Sequence, residues 1–124
     1  MNKDHFENKI AFDFDGVINS YQSGYCGIDN IPDPPVPGIF ELIEKLYHQG
    51  WTIYIFSSRA LTDDGEQAIW EYIRKYGNIN YIEDVTSEKI IADIYVDDRS
   101  IQFNGNVNQL ESEINNFEPW YYRS

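Results

Sequence analysis

The spacing of apolar residues changes several times along the chain, and each change predicts an element. The run over residues 9–14 is apolar and bounded by turn-formers, which predicts a buried strand. Residues 17–38, VINSYQSGYCGIDNIPDPPVPG, are rich in Gly, Pro, Asn and Tyr. They predict a long loop or flap, stiffened at its far end by the prolines. From about Pro37 the spacing turns helical: Ile39, Leu42, Ile43, Leu46 and Tyr47 share one face, and Gly50 is placed to end it. WTIYIF at 51–56 predicts a second strand, and SSRALTDDG a polar loop. Thr62 or Asp63 can cap the next helix, with Asp64 and Glu66 near its positive end. Its buried face is Ile69, Tyr72, Ile73 and Tyr76, and Gly77 stops it. NINYI at 78–82 reads as a short third strand and DIYVDD at 93–98 as a fourth. Leu110, Ile114 and Phe117 suggest a last helix before EPWYYRS.

Strands alternating with helices predict an α/β fold with a mainly parallel central sheet and right-handed crossovers. A chain of 124 residues with no repeat, linker or low-complexity block predicts one domain over 1–124. Ligands in such sheets bind beyond the carboxyl ends of the strands. Polar residues recur at those ends: Asp13 and Asp15 after the first strand, Ser57 and Arg59 after the second, Asp97 and Asp98 after the fourth.

Charge narrows the partners. Nine Lys and Arg stand against 21 Asp and Glu, a net charge of -12. That surface argues against an extended nucleic-acid interface and against anionic membranes. The single cysteine, Cys26, forbids an intrachain disulfide and fits a reducing cytoplasm. Neither His5 nor His48 gives it a nucleophile–base pattern. The first nine residues have no apolar core of a signal peptide, and no run has the length of a membrane span.

Within the first motif, residues i and i+2 of a strand share a side, so Asp13 and Asp15 can face one site while Phe14 turns to the core. With Asp97 and Asp98 the carboxylates would repel one another unless a cation joins them. An all-oxygen set favours Mg²⁺ over zinc. Mg²⁺ commonly shares a substrate phosphate. A phosphate ester needs further donors, and Ser57 offers a hydroxyl, Arg59 a planar fork and Lys89 a point charge. A carboxylate can be the nucleophile and a second one the acid/base.

These residues resemble a known family. IAFDFDGVI is similar to the first motif of the haloacid dehalogenase-like (HAD) superfamily, IYIFSS to the second, and Lys89 in TSEKIIADIYVDD and the IYVDD run to the third and fourth. All four stand in the family's order, between residues 10 and 98. Finer texture, including SSR, DDRSIQFNG and F-x-PW, resembles small phage and bacterial members. The resemblance implies a Rossmann-like three-layer sandwich and a phosphomonoester hydrolase working through an aspartyl-phosphate. Asp13 would be the nucleophile, Asp15 the acid/base, and Lys89 the residue that steadies the developing charge. Asp13, Asp15 through its carbonyl, and Asp97 or Asp98 would hold Mg²⁺. Ser57, Ser58, Arg59 and Gly16 are the substrate-binding candidates. No cap domain fits between the motifs, so the flap of 17–38 would lie over an open site. An open site suits a large substrate, or one covered by a neighbour in a homo-oligomer; the phosphorylated substrate implied is a small phosphate ester, a nucleotide or a nucleic-acid end.

Other readings stand beside this one. A regulatory or binding module could keep the phosphate and metal site without turnover. A phosphorylation receiver uses similar residues in another order. Arg99 reads as a structural partner of the adjacent acids, and Tyr21, Tyr25 and Trp51 as packing residues. The terminal PWYY reads as cover for a sheet edge or as a subunit contact.

Overall fold

A computed structural model describes residues 7–122; residues 1–6, His5 among them, and 123–124 lie outside the described residues. Strand β1 (Lys9–Asp13) forms where sequence pattern requires it: Ile10, Ala11 and Phe12 are all buried. Helix α1 (Ile39–His48) follows the flap and buries Ile43. Its end is set by Gly50, whose φ of 98° is open to glycine at little cost. The N–H groups of Gly50 and Trp51 then close back on the carbonyls of Tyr47 and Leu46. Strand β2 (Thr52–Phe56) alternates, with Ile53 and Ile55 inward. A 3-10 turn (Ser58–Leu61) leads into α2 (Asp63–Tyr76), which Thr62 caps by accepting from the Gly65 N–H at 3.1 Å.

The third strand is displaced from its sequence-based position. Residues 79–81 of NINYI form a 3-10 turn, and the strand, β3, is Asp84–Thr86. The Asn78 side chain accepts from the Asn80 N–H at 2.9 Å, a local bond that competes with pairing. Pairing resumes at the Glu83 N–H, which donates to the Ile53 carbonyl. Strand β4 (Ile94–Val96) is shorter than DIYVDD suggests, and α3 (Val107–Asn115) buries no side chain.

The four strands are all parallel in the order β3-β2-β1-β4. The chain runs outward from β1 to β3 and then returns to the far side of β1. The order therefore reverses between β1 and β4, where a crevice opens at the carboxyl ends. Register makes that crevice specific: Phe12 pairs with Val96 and Asp13 with Phe56. The next residues, Asp97 and Ser57, therefore flank the end of β1. Beneath it lies a core of Phe12, Phe14, Ile18, Ile43, Ile53, Ile55, Ile69 and Ile73. No helix among the described residues is long and apolar enough to cross a membrane.

Candidate active site

The first motif turns sharply after β1. Phe14 is fully buried and meets Tyr72 edge-on, with centroids 5.2 Å apart, so its neighbours Asp13 and Asp15 are left toward the crevice. Gly16 has φ 83°, and a Cβ there would collide with the Asp98 carboxylate and lie 2.6 Å from the Tyr121 ring. Only glycine permits both the backbone and this close approach. The turn is closed by the N–H groups of Ile18 and Asn19 on the Phe14 carbonyl.

Asp13, Asp97 and Asp98 each bring an oxygen to within 4.8 Å of the others. Crowding has an electrostatic signature. Burial pushes the Asp13 carboxyl up to about 9, and hydrogen bonding to Asp98 and the charges of Asp98 and Asp97 add to it. For Asp98 burial acts upward too, but hydrogen bonds from Asp13 and Tyr121 outweigh it and hold the group below the usual carboxylate range. Without a cation this cluster keeps a proton on Asp13. The donors are all oxygen and two are neighbours in sequence, which suits a hard cation such as Mg²⁺.

Asp15 points to the same cavity but has a different environment. Asn19 Nδ2 donates to one of its oxygens at 2.9 Å and Arg59 Nε to the other at 2.8 Å. Arg59, only 2% exposed, also donates to the carbonyls of Gly27 and Ile28 in the flap. Its donors thus face Asp15 and the flap, and Tyr25 lies over its guanidinium at 5.3 Å. Ser57 is buried; it accepts from the Arg59 N–H at 3.2 Å and starts the 3-10 turn. Ser58 stands beside it at the cavity wall. Lys89 lies off the cavity, 3.7 Å from Asp97 and against the rings of Tyr95 and Phe56. Arg99 Nε is 3.8 Å from Asp98, and the Asp97 carboxylate accepts from the Arg99 N–H at 3.0 Å.

The cavity, about 210 Å³, is lined by Asp13, Asp15, Ser57, Ser58, Asp98 and Arg99, with Tyr21, Tyr25 and Tyr121 as aromatic walls. Tyr21 stands at φ 60°, a left-handed conformation that costs a side-chain-bearing residue on the order of 1 kcal/mol. Its N–H donates to Asn19 Oδ1 at 3.2 Å, which helps to hold it there.

Sequence reasoning missed two contributors. Asn19, 1% exposed, links Asp15 to the flap. Tyr121 donates to Asp98 at 2.6 Å, so the terminal aromatic run reaches the site itself. Neither has a local signal: one is an asparagine in a loop of turn-formers, and the other meets a residue 23 positions away.

Comparison with protein-family models, curated proteins and solved structures finds no match for this chain.

Proposed function

We propose that this chain is a Mg²⁺-dependent phosphomonoester hydrolase of the HAD-like kind. In this reading it is a three-layer domain without a cap, acting in the cytoplasm on a small phosphate ester, a nucleotide or a nucleic-acid end. One observation carries the reading. Three carboxylates from two strand ends converge at the point where strand order reverses, beside a fourth aspartate, Asp15, and a buried hydroxyl.

Asp13, Asp97 and Asp98 are the residues that would hold the ion. A bound Mg²⁺ would neutralise their repulsion and draw negative charge from a phosphoryl oxygen. In its ionised form an Asp13 oxygen attacks phosphorus, and the bond from phosphorus to the ester oxygen breaks. Asp15 gives its proton to that departing oxygen. It then takes a proton from the water that cleaves the aspartyl-phosphate, which restores Asp13 and releases phosphate. Ser57 and the Ser58 backbone offer donors to the phosphoryl oxygens, and Lys89, 3.7 Å from Asp97 and outside the cavity, balances the charge of that carboxylate. To work this way Asp15, whose two oxygens accept from Asn19 and Arg59, must give up Arg59 and take a proton from solvent before the leaving oxygen docks.

That same engagement favours a second reading, a phosphate- or metal-binding module without turnover. A screen of sugar phosphates, nucleotides and phosphorylated oligonucleotides, with Mg²⁺ and with a chelator, separates the two. Phosphate release from at least one class is expected, and it should stop on chelation. Saturable binding without release would favour the module.

A further inference from the structure

The C-terminal segment belongs to no strand, yet it closes against the acidic cluster. Trp120, Tyr121 and Tyr122 form one 3-10 turn after Pro119. The Trp120 indole N–H donates to the Gly16 carbonyl at 2.6 Å, across 104 positions of sequence. The Tyr121 hydroxyl donates to Oδ2 of Asp98 at 2.6 Å and accepts from Arg99 Nε at 3.2 Å. Its ring lies edge-on to Tyr21, with centroids 5.6 Å apart, and forms part of the cavity wall. Gly16 makes the room: the space its missing Cβ leaves is taken by this ring and by Asp98. First motif, fourth motif and terminus are thus packed around one point.

We infer that Tyr121 is a positioning residue for the acidic cluster: its hydroxyl fixes the orientation of the Asp98 carboxylate so that Asp13, Asp97 and Asp98 can share one divalent cation. The inference rests on the metal site of the proposed phosphatase. The Asp98 side chain is only 3% exposed, and Arg99, the other donor beside it, stands 3.8 Å away and bonds the Tyr121 hydroxyl instead. A hydroxyl-to-carboxylate bond is charge-assisted and short. A free carboxylate would rotate, and each wrong rotamer would remove a ligand. Partners that orient a metal's ligands typically change affinity by about 10–100-fold. Trp120 acts one step further out, because its bond to Gly16 tethers the turn that carries Tyr121.

Mn²⁺ serves as the probe, since its free form is counted by electron paramagnetic resonance in the full chain without any substrate. Tyr121→Phe keeps the ring against Gly16 and removes only the hydroxyl. Its Kd for Mn²⁺ should rise about tenfold or more, in a chain that still folds cooperatively but melts somewhat lower, because a buried carboxylate has lost a donor. Trp120→Phe should raise the Kd by a smaller factor. A folded Tyr121→Phe that binds Mn²⁺ as tightly as the unaltered chain overturns the inference, even if it melts lower. Should Tyr121→Phe fail to fold, Trp120→Phe decides: weaker binding supports the inference and unchanged binding overturns it. If the unaltered chain binds no Mn²⁺, the metal site is absent, and the phosphatase reading falls with it. Equal binding by both chains removes only the role of Tyr121.

Discussion

At the scale of single residues, Asp13 sets how the site responds to pH. Its carboxyl stands near 9 in the fold against an ordinary value of 3.8. A raised folded value means the native state holds a proton that the unfolded chain has lost. The associated stability is complete below 3.8 and drains away as pH climbs through the folded value near 9. Asp98, held low, works the opposite way, but only in acid, where its contribution is lost as pH falls. Between about pH 6 and 9 the metal-free melting temperature should therefore fall. A cation that binds the ionised cluster displaces the proton, so Mg²⁺ should flatten this slope and release roughly one proton per ion at neutral pH. Calorimetric Mg²⁺ titrations in two buffers of different ionisation enthalpy read that proton. Identical heats in the two buffers, with a slope that Mg²⁺ leaves unchanged, would place Asp13 outside the metal site.

At the scale of elements, one side chain ties the flap to the end of β2 and to Asp15. Arg59 issues from the turn after β2 and ties three groups: Asp15 and the carbonyls of Gly27 and Ile28. The flap also braces itself, with Asp33 accepting from the Ser23 N–H and hydroxyl, and the Tyr72 hydroxyl donating to the Asp33 carbonyl. Arg59→Gln would leave Asp15 without its cation and two carbonyls without donors, in a place nearly closed to water. Removing one partner of a buried pair costs about 3–5 kcal/mol, and partial exposure of Asp15 sets the lower end here. Denaturant melts measure that loss. Amide exchange should accelerate over 24–31 and stay slow in β1 and β2. Unchanged exchange in the flap would show that Asp33 and Tyr72 hold it without Arg59.

At the scale of the whole molecule, what could be read from sequence follows the distance over which each feature is decided. β1 and β2 are legible because central parallel strands are apolar on both faces or alternate cleanly, and glycines mark the ends of α1 and α2. β3 is not, because a three-residue edge strand with one buried side chain, Val85, leaves no pattern. The more strand-like NINYI is captured by the Asn78 side chain instead. The acidic strand ends are visible as a motif, since their meeting follows from parallel order alone. The roles of Asn19, Arg59 and Tyr121 are settled by packing between distant segments, and no local spacing encodes that. The proposed roles of Asp13 as nucleophile and Asp15 as acid/base join both kinds of information, and a burst assay with nitrophenyl phosphate tells them apart. Asp15→Asn keeps the attacking group, and nitrophenolate leaves without a proton. The phosphoenzyme should therefore form in a burst and accumulate, with turnover slowed roughly 10²–10⁴-fold. Asp13→Asn should give neither burst nor phosphoenzyme. A burst from Asp13→Asn, or the same behaviour from both variants on every leaving group, would contradict the assignment.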